Sequence, residues 1–556
     1  MSSSTNSLLI NYVSNLELLS GLIPDIGLAT LAGALKANGH KVKIIDYATI
    51  DMIDRLEPTP ELKLEYNAIV GPLAIYFQNN YPIPDDILKG FNYDKYLKLL
   101  ESEKAERQIV LKEIIHELCK EIENSNIDFL GFKLWAGDAF EETLIIAEYL
   151  KAKFPNLKIF GGGPLVDWLK EIIFSKTHAF DIVVFGEGDE TIVKLADYCL
   201  KKEKLENIPN IIFRNGAKIK INDSVIVENL EKNYKPCYSP EIYPALAGNN
   251  KLKVFMLEES RGCPYLCNFC AHPLKSGKKW RIKSADNITE EMESIIAHHN
   301  SNTFRFCGSS TPARLQTRIA KKIIEKGLQV RYSSFAHFQD YNKCNFELLS
   351  CAGCKSLLFG LESGSPKIQK HIMNKVIKIE NAKKIIEECR RNKIQTVISI
   401  IYPAPKETIE TMQMTIEALK HIRPDSVFTC IPVIVPYTKW FNYPEEYNID
   451  IDSKIQYIEM ISSYKPRYNG HPILWRSGVH RVNGLDYKQQ TLKCGIMINE
   501  LKKNNFYTQI TEEEILFASV LGISAAELAY KYQKIRQDGD IIALWQLVTD
   551  INNNCK

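Results

Sequence analysis

Ser260-Arg261-Gly262-Cys263-Pro264-Tyr265-Leu266-Cys267-Asn268-Phe269-Cys270 is the stretch whose reading decides the fold. Its cysteines lie at C-x3-C-x2-C spacing, with Gly and Pro beside the first so that the backbone can double back. Three thiolates from one short loop suit an iron–sulfur cluster better than a lone zinc ion. A closed zinc site needs four protein ligands, whereas a cubane held by three leaves one iron open to a small molecule. Two plainer readings fit the same spacing: a zinc knuckle completed by His272, and reduced structural cysteines. Upstream, Val254-Phe255-Met256-Leu257 reads as a short buried strand, and Phe269 places an aromatic ring just before the third cysteine.

With these flanks the segment resembles the signature of the radical S-adenosylmethionine (SAM) superfamily, C-x3-C-x-aromatic-C after the first barrel strand. The resemblance implies that Cys263, Cys267 and Cys270 hold a 4Fe-4S cluster whose open iron is chelated by SAM. It also implies an external electron donor, such as flavodoxin or ferredoxin, and release of a 5′-deoxyadenosyl radical. Phe359-Gly360-Leu361-Glu362-Ser363-Gly364-Ser365 resembles the family's fourth-strand segment, so Glu362, Ser363 and Gly364, with Phe269, are the expected SAM contacts. Lys367 to Lys375 continues that pattern, and Trp280-Arg281-Ile282-Lys283-Ser284 matches the basic segment after the cluster loop. Pro403-Ala404-Pro405-Lys406-Glu407-Thr408 resembles the turn after the fifth strand with both glycines replaced, so no single contact is assigned there. Cys307-Gly308-Ser309 stands where relatives often carry acidic residues, which makes Cys307 a candidate substrate contact.

The chain has 556 residues, 45% of them hydrophobic, enough for roughly two to four domains with real cores. Seventy basic against 67 acidic residues leave a net charge of +3, which gives no reason to expect a nucleic acid partner. The cluster Lys275, Lys278, Lys279, Arg281, Lys283 reads as a solvated face or a phosphate contact. Fourteen cysteines in so long a chain form no disulfide framework, and Met1-Ser2-Ser3-Ser4-Thr5 runs straight into a strand without a signal peptide. The expected setting is a reducing cytoplasm. No window offers the roughly 18 consecutive apolar residues of a spanning helix, so no membrane association is expected. There is no internal repeat or low-complexity segment.

Residues 1–225 alternate apolar strands (8–12, 41–46, 127–132, 158–160, 181–185) with helical segments (26–38, 141–154), the pattern of an α/β, doubly wound parallel sheet. Glycines follow the fourth strand (Gly161, Gly162, Gly163) and the fifth (Gly186, Glu187, Gly188), where a ligand beyond the strand ends needs close backbone approach. No G-x-G-x-x-G follows the first strand, which argues against a dinucleotide. The pattern resembles the cobalamin-binding (Rossmann-like) domain that precedes the barrel in one radical SAM class, and those six residues are its implied cofactor contacts. Where classical cobalamin domains carry Asp-x-His-x-x-Gly, this chain has Leu22-Ile23-Pro24-Asp25-Ile26-Gly27, and proline cannot ligate cobalt. The resemblance therefore implies base-off, His-off cobalamin lying near Pro24 and Gly27, with Trp135 a candidate for its lower face.

An insertion at about 51–125 combines proline-rich turns with a charged helix near 96–124, and 226–250 reads as a polar, proline-bearing linker. Residues 251–445 repeat strand and helix six times, matching a partial (β/α)6 radical SAM barrel with its site at the carboxyl ends of the strands. Cys344, Cys351 and Cys354 suggest a second metal site on paper but fit helix-end packing better. Residues 446–556 are mainly helical, expected to cap the barrel over the substrate, and Trp475-Arg476-Ser477-Gly478-Val479-His480 offers an aromatic–cationic clamp or a packed loop. The leading expectation is a cobalamin-dependent radical SAM methyltransferase that moves a methyl from SAM to an unactivated carbon, or phosphinate phosphorus, of a small-molecule or peptide substrate. Ring rearrangement, cyclisation or oxidation with the same cofactors is the first alternative. A non-catalytic cobalamin- or redox-responsive regulator is the second.

Overall fold

The protein is described by a computed structural model for residues 4–14, 16, 18–79, 83–463, 471–475 and 478–556. In the N-terminal part, β1 (Asn6–Asn11), β2 (Lys41–Asp46), β3 (Phe129–Lys133), β4 (Lys158–Gly162), β5 (Ile182–Val184), β6 (Ile211–Asn215) and β7 (Lys218–Ile221) form one sheet in the order β2-β1-β3-β4-β5-β6-β7. The first five are parallel, as the sequence implies; β6 and β7 add an antiparallel hairpin that it does not reveal. Every β7 side chain is exposed, so that strand lacks the apolar alternation that marks a strand in sequence.

Alternation of side chains sorts the strands between two cores. Leu9, Phe129 and Phe160 pack with Ala29 and Ala32 of helix 26–37, in a core continuous with that of the barrel. Leu8, Ile10, Leu130 and Phe132 face the other side, against Leu118 of helix 93–125 and Ile146 of helix 138–153. The expected turns of the insertion are largely helical: Ile50–Leu56, Pro60–Asn79, Asp85–Gly90 and Tyr93–Ser125. Pro60 opens its helix at a position where the missing N–H costs nothing, so proline there marks a start and not a loop. The linker lies along the exposed edge strand, and Ile44 N donates to Ile242 O at 2.7 Å.

The second sheet collects β8 (Phe255–Leu257). A short ribbon of β9 (Ser260–Arg261) and β10 (Arg281–Ile282) stands apart from it. The sheet continues through β11 (Thr303–Phe306), β12 (Arg331–Ala336), β13 (Cys354–Glu362), β14 (Gln395–Ile401) and β15 (Ser426–Cys430). A small hairpin, β16 (Ile449–Ile451) with β17 (His480–Val482), precedes β18 (Tyr507–Thr508). The order is β18-β15-β14-β13-β12-β11-β8, all parallel, so the six expected strands gain a seventh. Two residues carry too little pattern to read as a strand.

The C-terminal region divides. The described residues of 449–463 and 478–483 lie at the carboxyl ends of the barrel strands, where Asn483 Nδ2 donates to Ala404 O at 2.8 Å. Helices Glu512–Leu521, Ala525–Asp538 and Ile541–Asn554 sit at the opposite ends, which corrects the expectation that all of 446–556 caps the substrate side. Ser356 Oγ donates to Glu512 O at 2.7 Å and Asn302 N to Cys555 O at 2.7 Å, both near strand beginnings. Ile515, Leu516 and Phe517 close that end against Met256, Leu358 and Phe428. Helical periodicity shows that a face is buried but not which end of a barrel it closes. One stretch among the described residues, Leu19–Ala37, is long and apolar enough to cross a membrane, yet 61% of it is buried within the protein.

Asp46, ending β2, pairs with Lys251 just ahead of β8 at 2.7 Å, and both side chains are 1% exposed or less. Asp46 also accepts from Asn11 Nδ2 at 2.8 Å and from the Tyr243 hydroxyl, which welds the first sheet to the lead-in of the second. Removing one partner strands the other charge in the interior. Lys251→Met is expected to lower stability by about 3–5 kcal/mol, read as a lower urea midpoint, and an unchanged midpoint would show the pair to be dispensable.

Candidate active site

The cluster loop follows β8 at the carboxyl end of the barrel. Gly262 allows the reversal: its φ is +82°, and a Cβ there would lie 2.2 Å from Lys279 O. Cys263 N donates to Gly277 O at 3.1 Å and Asn268 N to Met373 O at 2.9 Å, pinning both halves of the loop. Phe269 packs 5.5 Å from the Trp440 ring, so the aromatic before Cys270 anchors the loop. Burial pushes all three thiols up, Cys267 to about 12. Among the described residues no group of three or more His, Cys, Asp or Glu side chains is arranged to hold a metal ion. Three thiols from one loop suit a cluster with an open iron, whereas a closed zinc site needs a fourth protein ligand.

Above the loop, β13 carries Glu362. A bulge between Gly360 and Glu362 and a φ of +64° at Glu362 re-aim this side chain towards the cysteines, where its charge acts on Cys267 and Cys270. A π-helical turn, Ile368–Met373, then delivers Lys375, whose Nζ lies 2.8 Å from Glu362 Oε1 with both side chains 9% exposed. Burial pulls the ammonium down, but Glu362 and the cysteines outweigh it, and Lys375 stays charged. Its charge acts on all three cysteines. Sequence reasoning quoted Lys375 without assigning it; a lysine that closes a π turn carries no local signal of burial. Ser363 and Gly364 turn away instead: Gly364 N donates to Thr415 Oγ1 at 2.9 Å, and Ser363 Oγ lies 3.2 Å from the same oxygen. They fasten β13 to helix 409–422.

His337, just beyond β12, also went unread. Its ring stacks on Tyr265 of the cluster loop at 3.6 Å, its Nδ1 accepts from Gln339 N, and its buried Nε2 has no partner. Burial and the Lys375 charge hold it near pKa 3, so it is a neutral donor. Glu259, just ahead of the cluster loop, is fully buried, accepting from Gly308 N at 3.1 Å and Thr311 Oγ1 at 2.8 Å, and burial pushes its carboxyl up. These bonds fix the turn carrying Cys307, whose own thiol is pushed well up by burial and donates to Leu257 O at 3.4 Å. Cys307 is a protonated, engaged thiol.

The carboxyl edge of the first sheet turns towards this mouth. Lys275 Nζ reaches Asp167 Oδ2 at 2.8 Å, and the Tyr437 hydroxyl donates to Trp168 O at 3.2 Å. At that edge Gly162, Gly163, Gly186 and Gly188 are partly exposed, and a Cβ on Gly162 would meet nothing nearer than Val184 O at 3.9 Å. Gly161 differs: it packs under Leu134, Val183 and Phe180, so it is a core position and not a contact. Glu187 is spent on Arg281 and Arg261. Pro24 is buried, ahead of Asp25, which caps helix 26–37 and binds Lys133; Gly27 is exposed on that first turn. Trp135 is half-buried, its Nε1 donating to Asn11 Oδ1 at 2.7 Å with Lys133 Nζ 4.4 Å over the ring. Trp475 and His480 belong to a packed aromatic set, 5.9 Å and 6.3 Å from the Tyr487 ring, so these two form no clamp; Arg476 lies outside the described residues.

Residues 258–419 match the family described as the Radical SAM superfamily. The matched segment runs from the cluster loop into helix 409–422. An uncharacterized methyltransferase of Pyrococcus horikoshii is 24% identical over 335 residues, 59% of this chain and 71% of that one. The cobalamin-dependent radical SAM methyltransferase TokK of Streptomyces tokunonensis is 23% identical over 326 residues, 55% of this chain but only 46% of TokK. Among solved structures, the radical SAM methyltransferase TsrM of Kitasatospora setae with cobalamin and a [4Fe-4S] cluster superimposes at a TM-score of 0.65. It is 14% identical and covers 96% of this chain and 99% of its own. The cobalamin-dependent radical SAM enzyme OxsB gives 0.60 at 15% identity, over 97% and 72%. The chain thus shares the fold of TsrM and OxsB.

His480 is buried beside Tyr457, and burial lowers it to about 4. Below its ordinary value of about 6.5 the unfolded chain takes a proton that the folded one refuses, so stability falls as pH drops from 6.5 towards 4. His480→Phe is expected to remove up to about 1.4 kcal/mol per pH unit of that slope, measured by denaturation of the cofactor-free protein at pH 6 and 4.5.

Proposed function

We propose that this chain is a cobalamin-dependent radical SAM methyltransferase that transfers a methyl group from SAM to an unactivated centre of a small molecule, in a reducing cytoplasm. The observation that carries the reading is the meeting of the cysteine loop and the glycine-edged end of the first sheet at one mouth. Bound there, a 4Fe-4S cluster with SAM supplies a 5′-deoxyadenosyl radical and cobalamin supplies the methyl group; the chain's task is to orient them.

In this reading Cys263, Cys267 and Cys270 surrender their protons when iron binds, so loading releases protons and weakens at low pH. Lys375, buried and charged beside them, would receive the carboxylate of SAM, and Glu362, which holds the lysine in place, would face its amino end. Phe269 sets the loop against Trp440. The half-buried Gly162, Gly163, Gly186 and Gly188 line the corrin's side of the mouth. Pro24 would offer cobalt no ligand, and Trp135, fixed by Asn11 and Lys133, would supply an apolar face, which fits a base-off, His-off cobalamin. The electron comes from an external flavodoxin- or ferredoxin-like donor.

Reconstituted anaerobically with iron, sulfide and hydroxocobalamin, the chain is expected to show four-iron absorbance that disappears in Cys263→Ala, Cys267→Ala and Cys270→Ala but survives in Cys351→Ala. With SAM and a strong reductant it should yield 5′-deoxyadenosine and S-adenosylhomocysteine. Absorbance that depends on other cysteines, or retention of no corrinoid, would contradict the reading. Lys375→Met is expected to weaken SAM binding by at least about tenfold, as a charged hydrogen bond is lost in a buried site. Unchanged affinity by equilibrium dialysis would remove Lys375 from that role.

A further inference from the structure

The turn after β5 was expected to meet cobalamin through Glu187, yet its carboxylates are engaged with the cluster loop. Arg261 precedes Cys263 by two positions and Arg281 follows Cys270 by eleven, so the two arginines bracket the loop in sequence. In space they stand directly opposite each other across the β9–β10 ribbon, the antiparallel pair that closes the loop at its base. Like charges facing each other across a strand pair oppose its formation. Something must neutralise them for the ribbon to close.

The neutralising groups come largely from the N-terminal sheet. Arg261 makes a two-pronged contact with Asp189, Nη1 to Oδ2 at 2.7 Å and Nη2 to Oδ1 at 2.8 Å, and a second fork with its neighbour Glu258 at 2.7 and 2.9 Å. Arg281 Nη1 donates to Glu187 Oε2 at 3.0 Å and its Nη2 to Oε1; Arg261 Nη1 lies 3.2 Å from the same Glu187. Glu187 and Asp189 side chains are 5–6% exposed, and Arg281 is 9% exposed. Both carboxylates are held from behind, Glu187 by Val227 N at 2.8 Å and Asp189 by Asn233 Nδ2 at 3.0 Å. Arg281 also donates to Ser276 O at 2.8 Å, in the return segment whose Gly277 carbonyl accepts from Cys263 N.

From this we infer that Glu187 and Asp189 are positioning residues for the cluster loop: the N-terminal sheet clamps the two arginines that shut the loop around Cys263, Cys267 and Cys270. The closed loop is then a product of docking between the two sheets. Buried ion pairs contribute little net stability compared with apolar packing, and setting one arrangement over others is their best-attested use. The clamp also fixes the distance from the glycine edge to the cysteines, because the same turn carries both Gly186 and Gly188 on one side and the two carboxylates on the other. The inference rests on the cluster reading above only for its consequence in iron retention; the clamp itself is independent of any cofactor.

Two readouts separate these parts. The first is amide hydrogen exchange of residues 258–283 in the iron-free protein, comparing the unaltered chain, Glu187→Gln/Asp189→Asn, and a control, Glu293→Gln, which breaks the solvent-facing pair with Lys326 at 2.8 Å. The double variant is expected to exchange at least about tenfold faster in this segment alone, since Arg281 loses the carboxylate it faces and Arg261 keeps only Glu258. The second is the rate at which a chelator strips iron from the reconstituted protein, expected to rise by about as much. The charge-exchanged pair Glu187→Arg/Arg281→Glu should recover part of both, whereas a variant that merely misfolds would not be rescued. Unchanged exchange in the double variant overturns the inference. Faster exchange in a chain that, unaltered, binds no four-iron cluster leaves the clamp standing and removes the functional reading instead.

Discussion

Everything at the candidate site depends on how two parallel sheets are held with their carboxyl ends turned to one mouth. Parallel strands all end on one side, so each sheet concentrates its loops there, and a ligand that touches both sheets needs the two loop-bearing edges to meet. Two buried ionic contacts impose that meeting. Asp46 and Lys251 tie the end of β2 to the approach to β8, and the arginine ribbon ties the turn after β5 to the cysteine loop. Around them runs a hydrophobic core that passes without a break from helix 26–37 to the outer faces of the barrel strands.

Within the mouth, local backbone irregularity does the aiming. A regular β13 would point Glu362 along the pleat; the bulge and left-handed φ turn it to Lys375. Gly360 is required for this arrangement, since a Cβ there would lie 2.2 Å from Glu362 Oε1 and 2.4 Å from Lys375 Nζ. The π turn that follows brings Lys375 beneath the carboxylate while Asn374 Nδ2 donates to Leu266 O at 2.7 Å, joining the turn to the cluster loop. Strain and irregularity thus collect at the cysteine loop and its cover, where binding needs fixed geometry.

Much of the fold was legible because apolar alternation and helical periodicity are local properties. The parallel strands of both sheets, the helices from 487 to 554 and the cysteine loop all follow from them. What escaped was set by partners distant in sequence. β18 is a strand only because β15 has a free edge, and the last three helices close the barrel's far end because Ser356 and Ser426 meet the start of that segment there. At the site, the cysteines carried a readable spacing. Glu187 did not reveal that its partners would be Arg261 and Arg281, and Ser363 and Gly364 fit a family pattern yet serve helix 409–422. Lys375 and His337 gave no signal at all, since burial of a single polar side chain leaves no trace in periodicity.

The most direct test of this account is an anaerobic crystal structure of the protein reconstituted with iron, sulfide and hydroxocobalamin. The account predicts a cubane on Cys263, Cys267 and Cys270, with its fourth iron towards Lys375, and a corrin between that iron and the edge formed by Gly162, Gly163 and Gly186. A corrin bound elsewhere, or iron carried by thiols outside that trio, would contradict it.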